Sequence, residues 1–134
     1  LTYLDEHQTA EVDSVMGAYM LVRLEALDAA GLMDDSFFMY GEDLDWAYRI
    51  KQMGWKVFYV PETTVLHYKG ATSSRQSYRL IIEFYRAMYL FHWKHYAQHS
   101  SRLLNWAVTA GIIGRGTFAL IRNLFRPARA KRVG

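Results

Sequence analysis

Three carboxylates between an aromatic run and an amphipathic segment constrain this chain more than any other feature. The aromatic run at 37–40 ends at Gly41, and Glu42, Asp43 and Asp45 follow it. Apolar residues then recur at helical spacing, at Leu44, Ala47, Tyr48 and Ile50. We therefore expect a helix whose first turn holds Glu42 and Asp43.

The position of these acids suggests a chemical task. Backbone N–H groups are free in the first turn of a helix, and they favour an ionised carboxylate by roughly 0.3–1 kcal/mol in exposed settings. A general base must be unprotonated and aimed at a hydroxyl, so the acids suit that role. The spacing alone favours a plainer role, in which they only cap the helix and keep it soluble.

Composition sets the class of protein. With 134 residues, 51% of them hydrophobic, the chain has the length of one domain and can bury a core. Cysteine is absent, which excludes disulfides, thiolate zinc sites and a cysteine nucleophile, and is compatible with a cytoplasmic compartment. No segment resembles a signal peptide. Because the chain begins at Leu1 without a methionine, we expect a piece of something longer.

Charge divides the chain into two parts. All 13 acidic residues lie at or before Glu83, together with 7 of the Lys and Arg residues, whereas 9 basic residues and no acid follow it. An acidic front binds phosphates poorly unless a cation is present. A basic, aromatic rear suits an anionic surface such as phospholipid headgroups, and nucleic acid is a distant alternative.

The order of apolar segments and turn residues predicts half of an α/β sheet. We expect a buried strand at 12–22, a helix at 24–30 capped by Gly31, the acidic helix ending at Gly54, a strand at 56–60 and an extended piece at 64–68. Gly17 and Ala18 predict a bend in the first strand, or a backbone that something approaches closely. Asp45 and Arg49 are spaced to form a pair within the helix.

Residues 78–134 form a predicted helical region, separate from residues 1–77. A long helix at 78–96 carries an aromatic stripe that needs a partner, whether the rest of the protein, a second copy or the bilayer edge. The apolar segment 103–125 is interrupted by polar residues and glycines, so it lacks an unbroken span of about 20 apolar residues. We expect an interfacial helix or a broken helix pair with a basic tail, and a membrane-spanning helix remains the alternative.

The ordered motifs closely resemble the C-terminal half of inverting family-2 glycosyltransferases, and above all the bacterial rhamnosyltransferase-like members. The residues that carry the resemblance lie in register between positions 12 and 74. They are Met16-Gly17-Ala18, Arg23, Gly31-Leu32-Met33-Asp34-Asp35, the run from Phe37 to Asp45, Arg49, Gly54-Trp55-Lys56-Val57, Pro61 and His67. The resemblance implies a GT-A fold, in which an acceptor hydroxyl attacks the anomeric carbon of a nucleotide sugar.

The resemblance also implies roles for individual residues. Asp43 would be the general base, Glu42 would shape the acceptor site, and His67 would help to bind a divalent cation, Mg²⁺ or Mn²⁺, at the sugar-nucleotide diphosphate. Expected substrate contacts are Gly17, Ala18, Tyr40, Lys69 and Arg75. Without the resemblance, a single histidine such as His67 is most often a packed residue, and a loop with Lys69 and Arg75 is as easily a solvated one.

The implied enzyme needs partners beyond this chain. The nucleotide-binding half, with its Asp-x-Asp metal motif, is missing, so we expect the isolated chain to be inactive. The expected partners are that half, a nucleotide sugar, a glycan or lipid-linked acceptor, and the cytoplasmic face of the bacterial cell membrane, with a homo-oligomer left open and no nucleic acid. The competing interpretation is a non-catalytic relative that acts as a membrane-associated binding or oligomerisation module.

Overall fold

The computed structural model describes residues 5–67 and 77–125. These residues form strand β1 (Ala10–Val12), helix α1 (Leu24–Ala30), helix α2 (Glu42–Gln52), strand β2 (Val57–Tyr59), helix α3 (Ser77–His95), a 3₁₀ turn (Ala97–His99) and helix α4 (Arg102–Leu124). The chain divides into two compact units. The first comprises Leu1–Ser36 and Glu42–His67, and the second comprises Phe37–Gly41 and Tyr68–Gly134.

The first unit contains a short antiparallel ladder. β1 pairs with β2 in the register Ala10 with Tyr59, Glu11 with Phe58 and Val12 with Val57. Beside the ladder, Lys56 Nζ lies 2.9 Å from a Glu11 carboxylate oxygen. That hydrogen bond and the carboxylate charge raise the pKa of Lys56 above its ordinary value. The charge pair therefore favours this register.

The predicted strand at 12–22 is wrong. β1 ends at Val12, its buried residue, and no strand is assigned from position 13 to position 22. Two causes are visible in the segment. Met16 and Leu21 are largely exposed, and the Gly17 N–H donates to the Asp43 side chain instead of to a neighbouring strand. Residues 64–67 also lack strand pairing, so the sheet of the described residues has two strands.

The two helices of the first unit follow the prediction closely. α1 has the predicted bounds, and Gly31, at φ 75°, donates its N–H to the Leu27 carbonyl over 2.8 Å. A left-handed residue at this position is most easily a glycine, which has no Cβ to clash. α2 begins at Glu42 as expected, and its buried apolar residues are Ala47 and Ile50. The predicted face was wrong at one point, because Leu44 is 41% exposed.

In the second unit, α3 and α4 pack side by side. His92 Nε2 lies 3.0 Å from Asn105 Oδ1, and Gly116 lies against the Tyr85 ring. Later residues of α4 thus meet earlier residues of α3, so the helices run antiparallel. Ser101 caps α4 by accepting a hydrogen bond from the Leu104 N–H.

α4 is a single helix of 23 residues, so the predicted broken helix pair is wrong. A glycine inside a helix costs about 1 kcal/mol relative to alanine, which is why the glycines of this segment suggested a break. Gly116 has a packing reason, since a Cβ there would lie 3.2 Å from the Tyr85 ring. By length and composition, α4 is the one candidate for a membrane-spanning helix among residues 5–67 and 77–125.

Candidate active site

Asp43 occupies the first turn of α2, and both of its carboxylate oxygens accept a backbone hydrogen bond. Oδ1 accepts the Leu44 N–H over 2.8 Å, and Oδ2 accepts the Gly17 N–H over 2.8 Å. The side chain is half-buried. A carboxylate oxygen has two acceptor sites, so each oxygen retains one after its amide contact. Asp43 is therefore held in one orientation and can still accept a proton or a hydrogen bond.

Gly17 is the residue that lets this contact form. An added Cβ at position 17 would lie 3.1 Å from the Asp43 Cβ and 3.4 Å from Asp43 Oδ2, which is tighter than ordinary packing. The sequence predicted that something approaches the backbone here, and the approaching group is Asp43. Ala18, the neighbouring predicted contact, is exposed.

Glu42 differs from Asp43 in how its carboxylate is satisfied. Its Oε2 atom is buried, and within the described ranges no hydrogen-bond partner reaches it. Leaving a buried acceptor unsatisfied costs about 1–3 kcal/mol, so such atoms need a reason.

A buried charge pair anchors α2 beneath the acids. Asp45 is fully buried, and its Oδ2 accepts from Arg49 Nε over 2.8 Å. Arg49 also donates to the carbonyl of Ala30, the last residue of α1, and to that of Leu32 in the loop that follows. The predicted pair of Asp45 and Arg49 is thus present, but its bonds to the loop were missed. The i, i+4 spacing signals a pair and carries no information about distant carbonyls.

Trp46 adds a further link between α2 and the same loop. Its indole N–H donates to the Gly31 carbonyl over 2.8 Å. The guanidinium of Arg49 and the indole together hold the loop 30–32 against α2 by side-chain to backbone bonds. The helix that carries Asp43 and Glu42 is therefore fixed at its underside by buried or half-buried polar groups.

Tyr40 belongs to the second unit and has an unusual backbone. It has φ 70°, the left-handed region that a bulky residue occupies at a cost of order 1–3 kcal/mol. Its ring meets Phe84 of α3 edge to face, with centroids 5.8 Å apart. Nearby, Arg79 stacks over the Phe38 ring, 4.1 Å from its centroid. The aromatic run is thus held on α3, and Tyr40 remains 40% exposed.

Comparison with known proteins decides the family. Residues 4–85 match the family described as Glycosyltransferase like family 2. The chain belongs to this glycosyltransferase family. The resemblance to rhamnosyltransferase-like members is confirmed, and the family implies a GT-A-like α/β fold.

Two relatives illustrate the likeness of this family-2 chain. The N-acetylglucosaminyl-diphospho-decaprenol L-rhamnosyltransferase of Mycobacterium tuberculosis, found in strains CDC 1551 and H37Rv, is 29% identical over 115 residues, which cover 86% of this chain. Rhamnosyltransferase WbbL of Escherichia coli K12 is 37% identical over 57 residues, or 42% of this chain. The matches span 38% and 22% of those relatives' lengths. No solved structure matches the chain.

The remaining predicted site residues of the family-2 chain fall into two groups. His67 lies at the end of the first unit with an exposed side chain, so it is not packed in an apolar core. Lys69 and Arg75 lie outside the described residues. Within residues 5–67 and 77–125, no group of three or more His, Asp or Glu side chains comes together to hold a metal ion.

Proposed function

We propose that this chain carries the acceptor-activating part of an inverting glycosyltransferase at the cytoplasmic face of the bacterial membrane. The enzyme would move a sugar from a nucleotide sugar to a glycan or lipid-linked acceptor. The supporting observation is Asp43, a half-buried carboxylate oriented by the amides of Gly17 and Leu44 at a helix start. Because the relatives are rhamnosyltransferases, a rhamnosyl donor is the first to test.

In the proposed reaction Asp43 is the general base. It takes the proton of the acceptor hydroxyl while that oxygen forms a bond to the anomeric carbon. The bond from the anomeric carbon to the diphosphate oxygen breaks, and the diphosphate leaves with the electron pair. Attack opposite the leaving group inverts the configuration at the anomeric carbon.

Neighbouring residues have supporting roles in the proposal. Glu42, the neighbour of Asp43 in the first turn of α2, is proposed to shape the acceptor site beside the base. The Gly17 amide orients the base, and the exposed Ala18 offers a surface for a sugar ring. Tyr40, which belongs to the second unit, is proposed separately as an exposed aromatic contact for a sugar. The left-handed backbone of Tyr40 supports this role, because strained residues cluster at functional sites.

We also propose that the complete enzyme binds a divalent cation, with ligands from other parts of the enzyme. The described residues do not form a metal site by themselves, so further ligands would have to come from outside them. His67 would contribute one imidazole to a shell of oxygen ligands, and Lys69 and Arg75 would add positive charge for the diphosphate. When bound, such an ion would neutralise the departing diphosphate. Titration of Mg²⁺ or Mn²⁺ against a His67→Ala enzyme tests the assignment, and an unchanged titration would reject it.

The central test is Asp43→Asn in the complete enzyme. Asparagine keeps the size of the side chain but cannot take up the acceptor proton, so turnover should fall at least about 100-fold with little change in donor affinity. Asp13→Asn is the matched control, because Asp13 is an exposed carboxylate of the same unit that pairs with Lys51. Near-normal turnover of Asp43→Asn would reject Asp43 as the base.

A further inference from the structure

The most deeply buried residues of α4 are polar or small, whereas many of its large apolar side chains are exposed. Its buried residues are Asn105, Gly116 and Asn123. Large apolar side chains are exposed instead, including Leu103, Trp106, Ile113, Phe118, Ile121 and Leu124. In the most apolar stretch of α4, only 6% is buried. A helix packed in water normally turns its apolar stripe toward its partner, so the outer face of α4 needs another apolar environment.

Buried residues of α4 contact α3 and the following turn through polar side chains and a glycine. The Asn105 side chain bonds to His92 and donates to the Ala97 carbonyl over 2.9 Å. Gly116 lets the Tyr85 ring approach the α4 backbone. Small residues and polar side chains are the usual contacts between membrane helices, where apolar surface brings no advantage. Many large apolar residues of α4 remain exposed on the opposite side.

Charge indicates which partner fits the outer face. At about 100° per residue, the exposed apolar residues occupy roughly half of the circumference of α4. Arg115 and Arg122 are exposed and lie together at one edge of that half. α4 contains no acidic residue, and the sequence after Glu83 contains none either. An apolar face with a basic edge fits a bilayer interface that carries anionic headgroups.

The position of Arg115 decides the orientation. A helix of 23 residues is about 34 Å long, enough to cross a bilayer. Arg115 would then lie near mid-depth, where an arginine costs about 2.5–3.5 kcal/mol or more. When the helix lies in the plane of the interface, Arg115 and Arg122 both reach the headgroups while the outer face enters the hydrocarbon.

We propose that α4 lies in the plane of an anionic phospholipid bilayer, with its outer apolar face embedded and its Arg115–Arg122 edge at the headgroups. The proposal does not depend on sugar transfer. The Asp43→Asn enzyme is expected to bind vesicles as the wild type does, so the two proposals fail separately.

The test is flotation of the complete protein with vesicles of phosphatidylglycerol and phosphatidylcholine, compared with phosphatidylcholine alone. Replacing Ile113 and Phe118 together by Glu should lower vesicle partitioning at least about 10-fold, since each buried apolar side chain contributes about 1.5–3 kcal/mol. Leu21→Glu is the matched control, because Leu21 is an exposed leucine of the first unit. It should leave partitioning unchanged.

A second pair of variants keeps the apolar face intact. Arg115→Gln with Arg122→Gln should lower binding to the anionic vesicles about 10- to 30-fold, because each basic residue near such a surface contributes about 1 kcal/mol. Binding to phosphatidylcholine alone should change little.

Three results would overturn the proposal. One is a wild-type protein that does not float with anionic vesicles, and another is an Ile113 and Phe118 variant that floats as well as Leu21→Glu. The third is labelling of both ends of α4 from opposite sides of sealed vesicles, which would show a spanning helix. In the second result, the Glu variant could instead lose self-association or binding to another part of the enzyme. That loss, with flotation unchanged, would show that the outer face of α4 binds protein.

Discussion

α2 and α4 differ in the kind of polar residue that each of them buries. In α2 a fully buried carboxylate, Asp45, is paired with Arg49, and this pair holds the helix that presents Asp43. In α4 the buried polar residues are neutral, and the large apolar side chains face outward. Buried charge needs fixed partners in a water-surrounded fold, whereas neutral polar contacts suffice between helices whose surroundings are apolar. The difference is the one expected if α4 meets a bilayer, as proposed above, while the first unit is surrounded by water.

The sharpest way to break this comparison is Arg49→Met. The buried Asp45 carboxylate would lose its guanidinium, and the Ala30 and Leu32 carbonyls would lose their donor. We expect the free energy of unfolding to fall by about 3–5 kcal/mol in denaturant titration. The double variant Asp45→Leu with Arg49→Met should recover much of that loss. Lys51→Met removes an exposed pair as the control and should cost less than about 1 kcal/mol.

Asn105→Leu tests the other side of the comparison. In a water-soluble hairpin a buried leucine would stabilise the contact, but here the change removes the bonds to His92 and the Ala97 carbonyl. We expect thermal unfolding in lipid vesicles to report about 1–3 kcal/mol of destabilisation. Leu104→Asn, at an exposed position of the same turn, should have a smaller effect. A more stable Asn105→Leu protein would contradict a stabilising role for the polar contacts of Asn105 with His92 and the Ala97 carbonyl.

Gly17→Ala separates the orientation of the base from the stability of the fold. The added Cβ would lie 3.1 Å from the Asp43 Cβ, so the Asp43 side chain would have to shift and its hydrogen bond from the Gly17 N–H would be disturbed. We expect turnover of the complete enzyme to fall about 10-fold, or about 1.4 kcal/mol in the barrier, with the KM for the donor nearly unchanged. Ala18→Ser is the control at the adjacent exposed position. Equal turnover in both variants would remove the Gly17 amide from the mechanism.

The smallest expected effect concerns the pair of Lys56 and Glu11. The pKa of Lys56 is raised in the folded protein by its hydrogen bond and attraction to Glu11. A raised pKa stabilises the fold below the ordinary lysine pKa, and this stabilisation is lost as pH rises through the folded value. The midpoint of unfolding of the wild type should therefore decrease as the pH is raised through that range. Lys56→Met should weaken this dependence slightly.

The sequence predicted the helices better than the sheet, for physical reasons. α1 and α2 are specified by local signals, namely the capping Gly31, the acidic first turn and the apolar spacing. The failed strand at 12–22 has an apolar composition, yet position 17 uses its N–H to bind Asp43, a residue 26 positions away. A prediction from local sequence cannot include a contact between residues so far apart in the chain. The continuity of α4 was missed because glycine propensity was weighed without the Tyr85 contact that gives Gly116 a place.

The candidate site divides in the same way. The placement of Glu42 and Asp43 in the first turn of α2 followed from helix position, and the pair of Asp45 and Arg49 followed from spacing. The catalytic roles of Asp43 and Glu42 stay predictions. The bonds from Arg49 and Trp46 to the loop 30–32 depend on tertiary structure, so composition gave no signal for them. The roles of His67, Lys69 and Arg75 rest on family likeness and stay predictions.

The bond between the Gly17 amide and Asp43 has a consequence for how this chain can vary. A side chain at position 17 would press on the Asp43 side chain, and a different residue at position 43 would lose the acceptor that the Gly17 N–H now uses. Neither position can drift alone without disturbing the other. Any redesign of the acceptor site should therefore treat the two positions as a single heritable unit and vary them together.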